Sequence, residues 1–182
     1  LPAGKRVQWH AGQYMMLNLN GEGFPFSIAN HCDGRSLELH IRHGDDNSAA
    51  QDIMAYLESA STVSAPLPAG MRFIDSAPEQ PVWFICGSTG FAPVKAMVER
   101  LIALDFVHPV RLFWGARTPA DLYLPTLPAQ WKMALKDFDF TTALSDIRHP
   151  DHAEGLVHEA ALAALNEPEL PLFYLGGSPP MA

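Results

Sequence analysis

The chain has 182 residues, a hydrophobic fraction of 48% and a formal net charge of −8, from 12 Lys and Arg against 20 Asp and Glu. This length suits one ordinary domain or two small ones, and the apolar content is sufficient for a core. The negative charge argues against a nucleic acid or an anionic membrane as the partner, because both would repel the protein.

The first half of the chain is predicted to form short strands, at residues 13–19 (QYMMLNL), 24–30 (FPFSIAN) and 62–65 (TVSA). The proline in FPFSIAN favours an edge strand. In SLELHIR, residues 36–42, apolar and polar residues alternate, so we expect one buried face and one face open to solvent or a ligand. Residues 47–57 (NSAAQDIMAYL) have helical spacing and begin with an asparagine or a serine that can cap a helix.

The pattern changes after SAPEQP, residues 76–81, which contains two prolines and no apolar anchor. We place a domain boundary there, between a first domain of residues 1–76 and a second of residues 77–182. Beyond the boundary, continuous apolar runs alternate with helical patterns, as in parallel βαβ units. The strands of the predicted four-stranded parallel sheet are VWFIC, VRLFWG, DFTTALS and LPLFYLG.

The sharpest local motif is CGSTGFAP, residues 86–93, which follows a buried strand and opens a helix. The amides of Ser88, Thr89 and Gly90 would gather at the positive end of the helix dipole and attract an anion such as a dinucleotide pyrophosphate. The spacing matches neither GxGxxG nor GxxxxGK[ST]. A tight turn whose glycines merely allow positive φ explains the motif equally well.

Two further strands end in turns that can approach a ligand. FWGARTPADLY presents Gly115 and Arg117 where an open parallel sheet has its carboxyl ends, and YLGGSPPM, residues 174–181, forms a rigid turn. Arg117 can bind a phosphate, although a single arginine after a strand is more often solvated. Three such turns at one edge of a sheet favour a nucleotide site over three unrelated turns.

Neither the cysteines nor the histidines predict a metal site. Cys32 and Cys86 lack a CxxC partner, so no disulfide framework or thiolate cluster is expected. The histidines at 40 and 43 point to opposite faces of a strand, and those at 149 and 152 lie in a loop. No apolar run approaches the roughly 20 residues that cross a bilayer, and residues 1–10 do not look like a signal peptide. The expected location is the cytoplasm.

Four ordered motifs, FPFSIAN, CGSTGFAP, FWGARTPADLY and YLGGSPPM, resemble those of the ferredoxin-NADP reductase superfamily, most closely its NAD(P)H:flavin oxidoreductase branch. The resemblance covers nearly the whole chain. It implies an antiparallel flavin-binding β-barrel over residues 1–76 and an NAD(P)-binding α/β domain with a parallel sheet over residues 77–182. Members normally have more barrel strands before GQY and continue past the last motif, so we expect a piece of a longer reductase or an open barrel.

The resemblance also implies the site. The hydroxyl of Ser27 would lie near flavin N5, where hydride arrives, as the catalytic residue. The implied flavin-side residues are Phe26, Ser27, Ile28, Ala29, Asn30, His40, Ile41, Arg42 and Ser48. The implied nicotinamide-side residues are Gly87, Ser88, Thr89, Gly90, Pro93, Gly115, Arg117, Gly176, Gly177, Ser178, Pro179 and Met181.

Three positions depart from the family pattern. Phe24 stands where the family has an arginine for the flavin phosphate, which favours a flavin that diffuses as a substrate over one held permanently. Gly176 stands where many members have a cysteine, and we assign no cysteine a catalytic role. Asp146 stands where NADPH-preferring relatives have a cation, so NADH is expected unless Arg117 or Arg148 compensates.

The resemblance therefore implies an enzyme, an NAD(P)H:flavin oxidoreductase that transfers hydride from NADH, or less readily NADPH, to FAD or FMN. One alternative is a reductase component with bound FAD that passes electrons to a ferredoxin or an oxygenase. Another is a regulatory module without catalysis on the same fold. The expected ligands are a flavin and a nicotinamide nucleotide, with a redox protein as a further partner.

Overall fold

The computed structural model describes residues 7–44, 47–66, 68–165 and 170–177. The first half contains a hairpin and a helix: β1 (Tyr14–Leu19), β2 (Glu22–Ser27) and α1 (Ser48–Ser59). The second half alternates strands and helices: β3 (Val82–Gly87), α2 (Phe91–Ala103), β4 (Val110–Ala116), α3 (Leu127–Ala134), β5 (Phe138–Leu144), β6 (Ala153–Glu154), α4 (Val157–Ala164) and β7 (Leu172–Gly176). Single 3-10 turns occupy Ser88–Gly90 and Pro119–Asp121.

The hairpin of β1 and β2 is closed by a two-residue turn of Asn20 and Gly21. Both residues have positive φ, 52° and 85°. This geometry matches the right-handed twist of the two strands, and an Asn-Gly pair adopts it with little strain. The turn sets the register in which Tyr14 pairs with Ser27, so the serine at the end of β2 has a defined position.

A small apolar cluster holds the first half together. Met15, Leu17 and Ile53 are buried there, which packs α1 against the hairpin. The predicted helix and its cap are confirmed, and Asn47 is the residue that caps it, since its Oδ1 accepts from the amide of Ala50 at 3.1 Å. An asparagine at this position satisfies an amide that has no partner within the helix.

Two predicted strands of the first half are wrong. Residues 62–65 form no strand, and residues 36–42 are extended but contribute only one isolated bridge, between Leu39 and Ile28. The described residues of this half form a two-stranded sheet with isolated bridges, and not a closed barrel. The alternation in 36–42 is nevertheless correct, because its leucines and isoleucine pack on the apolar cluster. Alternation reports which side chains are buried, and a strand also needs a neighbour with a matching ladder.

The second half is a five-stranded parallel sheet in the order β6-β5-β4-β3-β7. The four predicted strands are confirmed as β3, β4, β5 and β7. Strand β3 lies between β4, which follows it in the chain after α2, and β7, which comes last. The strand order therefore reverses at β3, and the loops that follow the strands on either side of this point meet at the carboxyl edge of the sheet. The predicted fold class, an antiparallel unit followed by a parallel α/β unit, is confirmed.

The sequence prediction missed two elements of this sheet region. Strand β6 has only two residues, too few for any periodic pattern, and it adds to the edge of β5. Helix α3 lies in the crossover from β4 to β5 and buries Trp131 against the sheet. It spans only eight residues, about two turns, and contains a proline in the first turn, so it is too short for a clear periodicity.

The central strand is buried on both faces. Phe84 and Cys86 face the larger apolar cluster with α2 and α3, whereas Trp83 and Ile85 face the smaller cluster with α4. Two buried faces explain why the strand is a continuous apolar run without alternation. Burial raises the pKa of the Cys86 thiol far above its usual range, so this cysteine is an inert part of the core.

We predict that Gly21→Ala lowers the free energy of unfolding by about 1 kcal/mol, because alanine is strained at positive φ. The position isolates this effect, since a Cβ at Gly21 meets nothing within 4 Å. Gly23→Ala in the same hairpin is the control, because Gly23 is not among the glycines with positive φ and a Cβ there meets the flexible end of the Met16 side chain at 3.0 Å and Oδ1 of Asn18 at 3.5 Å. Urea unfolding of both variants provides the measurement, and equal stability of the two would contradict the strain argument.

Candidate active site

A large cleft of about 2030 Å³ runs between the two halves of the molecule. From the first half it is lined by residues 24–27, 40–44, 47, 49, 50, 53 and 71–73, together with Gly12. From the second half it is lined by residues 87–90, 92–94, 97, 115–117, 121, 145, 155–158 and 172–177. The carboxyl edge of the parallel sheet therefore forms one wall, and the end of the hairpin forms the other.

Most of the predicted site residues line this cleft. They are Phe26, Ser27, His40, Ile41, Arg42, Gly87, Ser88, Thr89, Gly90, Pro93, Gly115, Arg117, Gly176 and Gly177. The cleft thus has Ser27 on one wall and the 88–90 turn on the other, although about 60 residues separate them in the sequence. Two ligands held on these walls would meet inside one cavity.

Four predicted residues do not line the cleft. Ile28 and Ala29 are fully buried in the protein, and Ser48 lies on the exposed first turn of α1. Asn30 has a structural role, because its Oδ1 accepts from the amide of Glu38 at 2.9 Å and its Nδ2 donates to two carbonyls of the same loop. The predicted residues Ser178, Pro179 and Met181 lie outside the described part of the chain.

The turn between β3 and α2 is held from behind by an aromatic stack. Ser88 has a φ of 50°, and its carbonyl accepts a hydrogen bond of 3.2 Å from Nε1 of Trp114. That indole lies flat on Phe91, with ring centroids 3.9 Å apart. A non-glycine residue at positive φ is strained and persists there only where its surroundings fix it, as the buried ring of Trp114 does here. The turn is consequently rigid before any ligand binds.

The glycines of this edge are required for close backbone contact. Gly87 and Gly90 have negative φ, −124° and −58°, so the interpretation that they merely allow positive φ is wrong. A Cβ on Gly90 would lie 2.3 Å from the carbonyl oxygen of Gly176, and one on Gly176 would lie 2.7 Å from that of Gly90. The end of β7 therefore touches the 88–90 turn, which leaves no space for a cysteine at position 176.

A third glycine admits a neighbouring helix. A Cβ on Gly115 would lie 2.8 Å from Cβ of Val157, at the start of α4. Because Val157 is itself buried, it cannot move aside. The glycine at the end of β4 therefore allows α4 to approach the sheet edge and bring His158 to the cleft.

Arg117 and Asp146, at the ends of β4 and β5, form an ion pair at the rim of the cleft. Nε of Arg117 lies 2.8 Å from Oδ2 of Asp146, and the hydroxyl of Ser145 donates to Oδ1 at 2.7 Å. The Ser145 hydrogen bond and then the arginine hold the pKa of Asp146 below its usual range. The carboxylate is therefore charged at neutral pH. The sequence analysis considered these two residues separately, whereas in the structure they form an ion pair.

His40 contributes its ring to the cleft wall, but its two nitrogens are used by the protein. Nε2 lies 2.8 Å from Oε1 of Glu38, and Nδ1 lies 2.6 Å from the hydroxyl of Tyr123. Arg42, two residues further on, lies 3.8 Å from Oδ1 of Asp121. The polar face of residues 36–42, predicted to meet solvent or a ligand, lines the cleft with His40 and Arg42 and also contacts the second half of the molecule.

The sequence prediction missed several cleft residues. The start of α1 contributes Asn47, Ala49 and Ala50, and its capping motif was the available signal, since a helix N-terminus favours an anion. Arg72 and Phe73 line the cleft from an irregular segment. They belong to no periodic pattern or motif, so nothing in the local sequence could have identified them.

The cleft suits two extended ligands better than one small molecule. Its volume exceeds the roughly 300–1,000 Å³ typical of small-molecule pockets. The hairpin wall offers Phe24, Pro25 and Phe26, which suit a flat ring, and the opposite wall offers glycine backbone at a helix start, which suits phosphates.

Among the described residues no group of three or more His, Cys, Asp or Glu could hold a metal ion. No helix in the part of the chain described here is long and apolar enough to span a bilayer.

Comparisons with known proteins agree with this geometry. Residues 84–182, more than half of the chain, match the family model of the oxidoreductase NAD-binding domain. The chain is 34% identical over 151 residues to terephthalate 1,2-dioxygenase, reductase component 2, of Comamonas sp, which covers 81% of the chain and 44% of that protein. It is 33% identical over 124 residues to the NAD(P)H-flavin reductase of Vibrio harveyi, which covers 64% of the chain and 52% of that protein.

The chain spans about half the length of the curated relatives it matches. Among solved structures, the reductase GcoB of Amycolatopsis has a TM-score of 0.84 and 27% identity, over 98% of this chain and 56% of that one. The sequence motifs, the fold and these matches agree with one another. The chain therefore belongs to the ferredoxin-NADP reductase superfamily and carries that superfamily's NAD-binding domain in its second half.

Proposed function

We propose that the chain is the catalytic unit of an NAD(P)H-dependent flavin reductase. In this proposal a flavin binds against residues 24–27, and a reduced nicotinamide nucleotide binds against residues 88–90, 115–117 and 176–177. One observation carries the proposal: Ser27 and the 88–90 turn line opposite walls of the same cleft. The names of two relatives, an NAD(P)H-flavin reductase and a dioxygenase reductase component, support the same class of chemistry. Residues 1–76 and 77–182 are the proposed flavin and nucleotide domains.

The flavin and the nicotinamide themselves supply the hydride chemistry, with flavin N5 as the acceptor. The protein positions them. The proposed role of Ser27 is to donate its hydroxyl proton in a hydrogen bond that orients the flavin ring, from a position set by its pairing with Tyr14. The backbone amide of the next residue, Ile28, donates to the carbonyl of Gln13 at 3.0 Å and keeps the end of β2 in place. Correct placement of the two rings raises the rate of hydride transfer by a large factor, because hydride crosses only a short, aligned gap.

The proposed nucleotide site combines a helix start with close backbone. The turn at 88–90 leads directly into α2, whose N-terminus favours the pyrophosphate. The contact between Gly90 and Gly176 brings a second stretch of side-chain-free backbone to the same place, where a ring can lie close to the chain. Pro93 falls in the first turn of α2, where the missing amide costs no helical hydrogen bond.

Within this proposal NADH is the preferred nucleotide. The Asp146 carboxylate would repel a 2′-phosphate, and it already neutralises Arg117, the cation nearest to it at the sheet edge. FAD and FMN are both compatible with the cleft. With Phe24 in place of the family's arginine, the flavin phosphate has fewer charged partners, so the proposed flavin is exchangeable.

A second candidate is a reductase component that keeps its FAD and passes electrons to a ferredoxin or an oxygenase. It is favoured by the Comamonas relative, whose name is that of such a component. The colour of the purified full-length protein separates the two. A yellow protein supports the component, and a colourless one that oxidises NADH only with added flavin supports the reductase.

We predict that Ser27→Ala lowers the turnover of NADH oxidation by about tenfold to a hundredfold, with a modest change in flavin affinity, because ring orientation is lost. Steady-state kinetics with riboflavin, FMN and FAD provide the measurement. Ser59→Ala is the matched control, since Ser59 does not line the cleft and its hydroxyl, among the described residues, bonds to carbonyls of its own helix at 2.8 and 3.2 Å. Unchanged turnover in Ser27→Ala would remove Ser27 from the mechanism.

We also predict that Asp146→Asn raises the ratio of kcat/KM for NADPH to that for NADH by about tenfold. The substitution removes the charge that would repel a 2′-phosphate and weakens the ion pair with Arg117. Asp139→Asn on the same strand is the control, because its carboxylate pairs with Lys132 away from the cleft, at 3.0 Å. An unaltered ratio would show that Asp146 does not set the nucleotide preference.

A further inference from the structure

Lys95 of α2 is a buried cation that contacts the other half of the molecule. Its side chain is only 10% exposed, and its Nζ lies 2.8 Å from Oε2 of Glu38 and 2.7 Å from Oε1 of Glu99. The same ammonium group donates to the carbonyl of Ala29 at 3.2 Å. All three of its protons therefore have acceptors, and two of these acceptors belong to the first half.

Glu99 extends this contact. Its Oε2 accepts from the backbone amide of His31 at 3.2 Å, while its Oε1 accepts from Lys95. Two residues on successive turns of α2 therefore hold residues 29–31 by backbone and side-chain bonds. The segment they hold begins two residues after Ser27.

Glu38 links Lys95 to His40, a residue of the cleft wall. One of its carboxylate oxygens accepts from Lys95, and the other lies 2.8 Å from Nε2 of His40. Burial alone would raise the pKa of Glu38, but the hydrogen bonds from Lys95 and His40 outweigh it and lower that pKa. The carboxylate is thus charged at neutral pH and accepts both bonds.

Tyr123 completes the chain of hydrogen bonds at the far nitrogen of His40. Burial, and then nearby negative charge, raises the pKa of Tyr123 well above its usual range, so its hydroxyl remains protonated at neutral pH. In the neutral imidazole, Nε2 then donates to Glu38 and Nδ1 accepts from the phenol. Both nitrogens are engaged, which fixes the ring plane at the cleft wall.

The position of Lys95 relates these bonds to the proposed reaction. Lys95 lies one turn into α2, directly after the 88–90 turn, and it bonds to Ala29, directly after the strand that ends in Ser27. The two cleft walls are therefore linked by a short path through one ammonium group. A helix and a hydrogen-bonded strand end are both stiff, so this path constrains the separation of the walls, together with the bonds of His40 to Tyr123 and of Arg42 to Asp121.

We propose that Lys95 is a positioning residue, which holds the flavin wall at Ser27 and the nicotinamide wall at residues 88–90 at the separation that hydride transfer requires, and which orients His40 through Glu38. This inference rests on the proposed function. It assigns to Lys95 no contact with either ligand. An apolar side chain would fill the same space without the desolvation of a charge, so the cation is retained for its directed bonds.

The test is Lys95→Met in the full-length protein, assayed with NADH and with NADH deuterated at the transferred position. We expect kcat to fall by about tenfold to a hundredfold, the KM values for NADH and flavin to change much less, and the primary isotope effect on kcat to rise. A misaligned gap slows hydride transfer itself, and the isotope effect detects this. A merely structural role would reduce the amount of folded enzyme and leave the isotope effect unchanged.

Two further variants keep the test decisive. Glu38→Gln removes the charge while preserving the shape, and it should change kcat and the isotope effect in the same direction as Lys95→Met but by less. Lys132→Met removes a lysine that is paired with Asp139 at 3.0 Å on the exposed side of α3, and it should change neither quantity. If Lys95→Met does not fold, Glu38→Gln alone decides the outcome.

A second readout needs no flavin or nucleotide. The ring nitrogen-15 signals of His40, assigned by their loss in His40→Gln, should show a proton fixed on Nε2 in the wild type, where the Glu38 carboxylate accepts it. In Glu38→Gln and Lys95→Met we expect averaged tautomers, because the charged acceptor is lost or is no longer held. A single unchanged tautomer in both variants would overturn the orienting role.

The outcomes separate the two proposals. A wild-type protein that oxidises neither NADH nor NADPH with any flavin overturns the proposed function, and the inference with it. An active wild type whose Lys95→Met and Glu38→Gln variants keep the wild-type isotope effect overturns the positioning role alone.

Discussion

The buried ammonium group of Lys95 is the interaction on which the geometry of the cleft depends. It joins α2 to the chain that follows Ser27, with acceptors at Glu38, Glu99 and the carbonyl of Ala29. A buried charge is tolerated only where its donors are all satisfied, so this contact permits little sliding between the halves. The bonds of this ammonium group therefore hold the two walls of the cleft in a defined relative position.

The parallel sheet explains why the nucleotide wall is made of backbone. Strands β3, β4 and β7 end side by side, and the turns that leave them must share one edge. The carbonyl of Gly90 and the backbone of Gly176 are in direct contact there, and Val157 presses on Gly115. Small residues at this edge thus serve packing first, and the same absence of side chains gives phosphates and rings access to amides.

Charge at the rim is arranged differently from charge in the interior. The pair of Arg117 and Asp146 is exposed and screened by water, so it adds little to stability, and the role proposed for it is to select between nucleotides. The ammonium group of Lys95 is buried, although its partner Glu38 is partly exposed, so the bonds that the lysine donates are directed. One ion pair lies at the rim of the cleft, and the other joins the two halves of the chain.

Local patterns in the sequence determined the capped helix α1, the alternation in residues 36–42, the four main parallel strands and the motif that opens α2. Each of these depends on residues that are near one another along the chain, which is why periodicity and turn chemistry predict them. Short elements such as β6 left no pattern to detect. The tertiary structure alone decided that His40 faces Tyr123, that Arg117 meets Asp146 and that Gly90 touches Gly176. Those contacts join residues far apart in sequence, and only the packing of complete elements specifies which distant side chains come together.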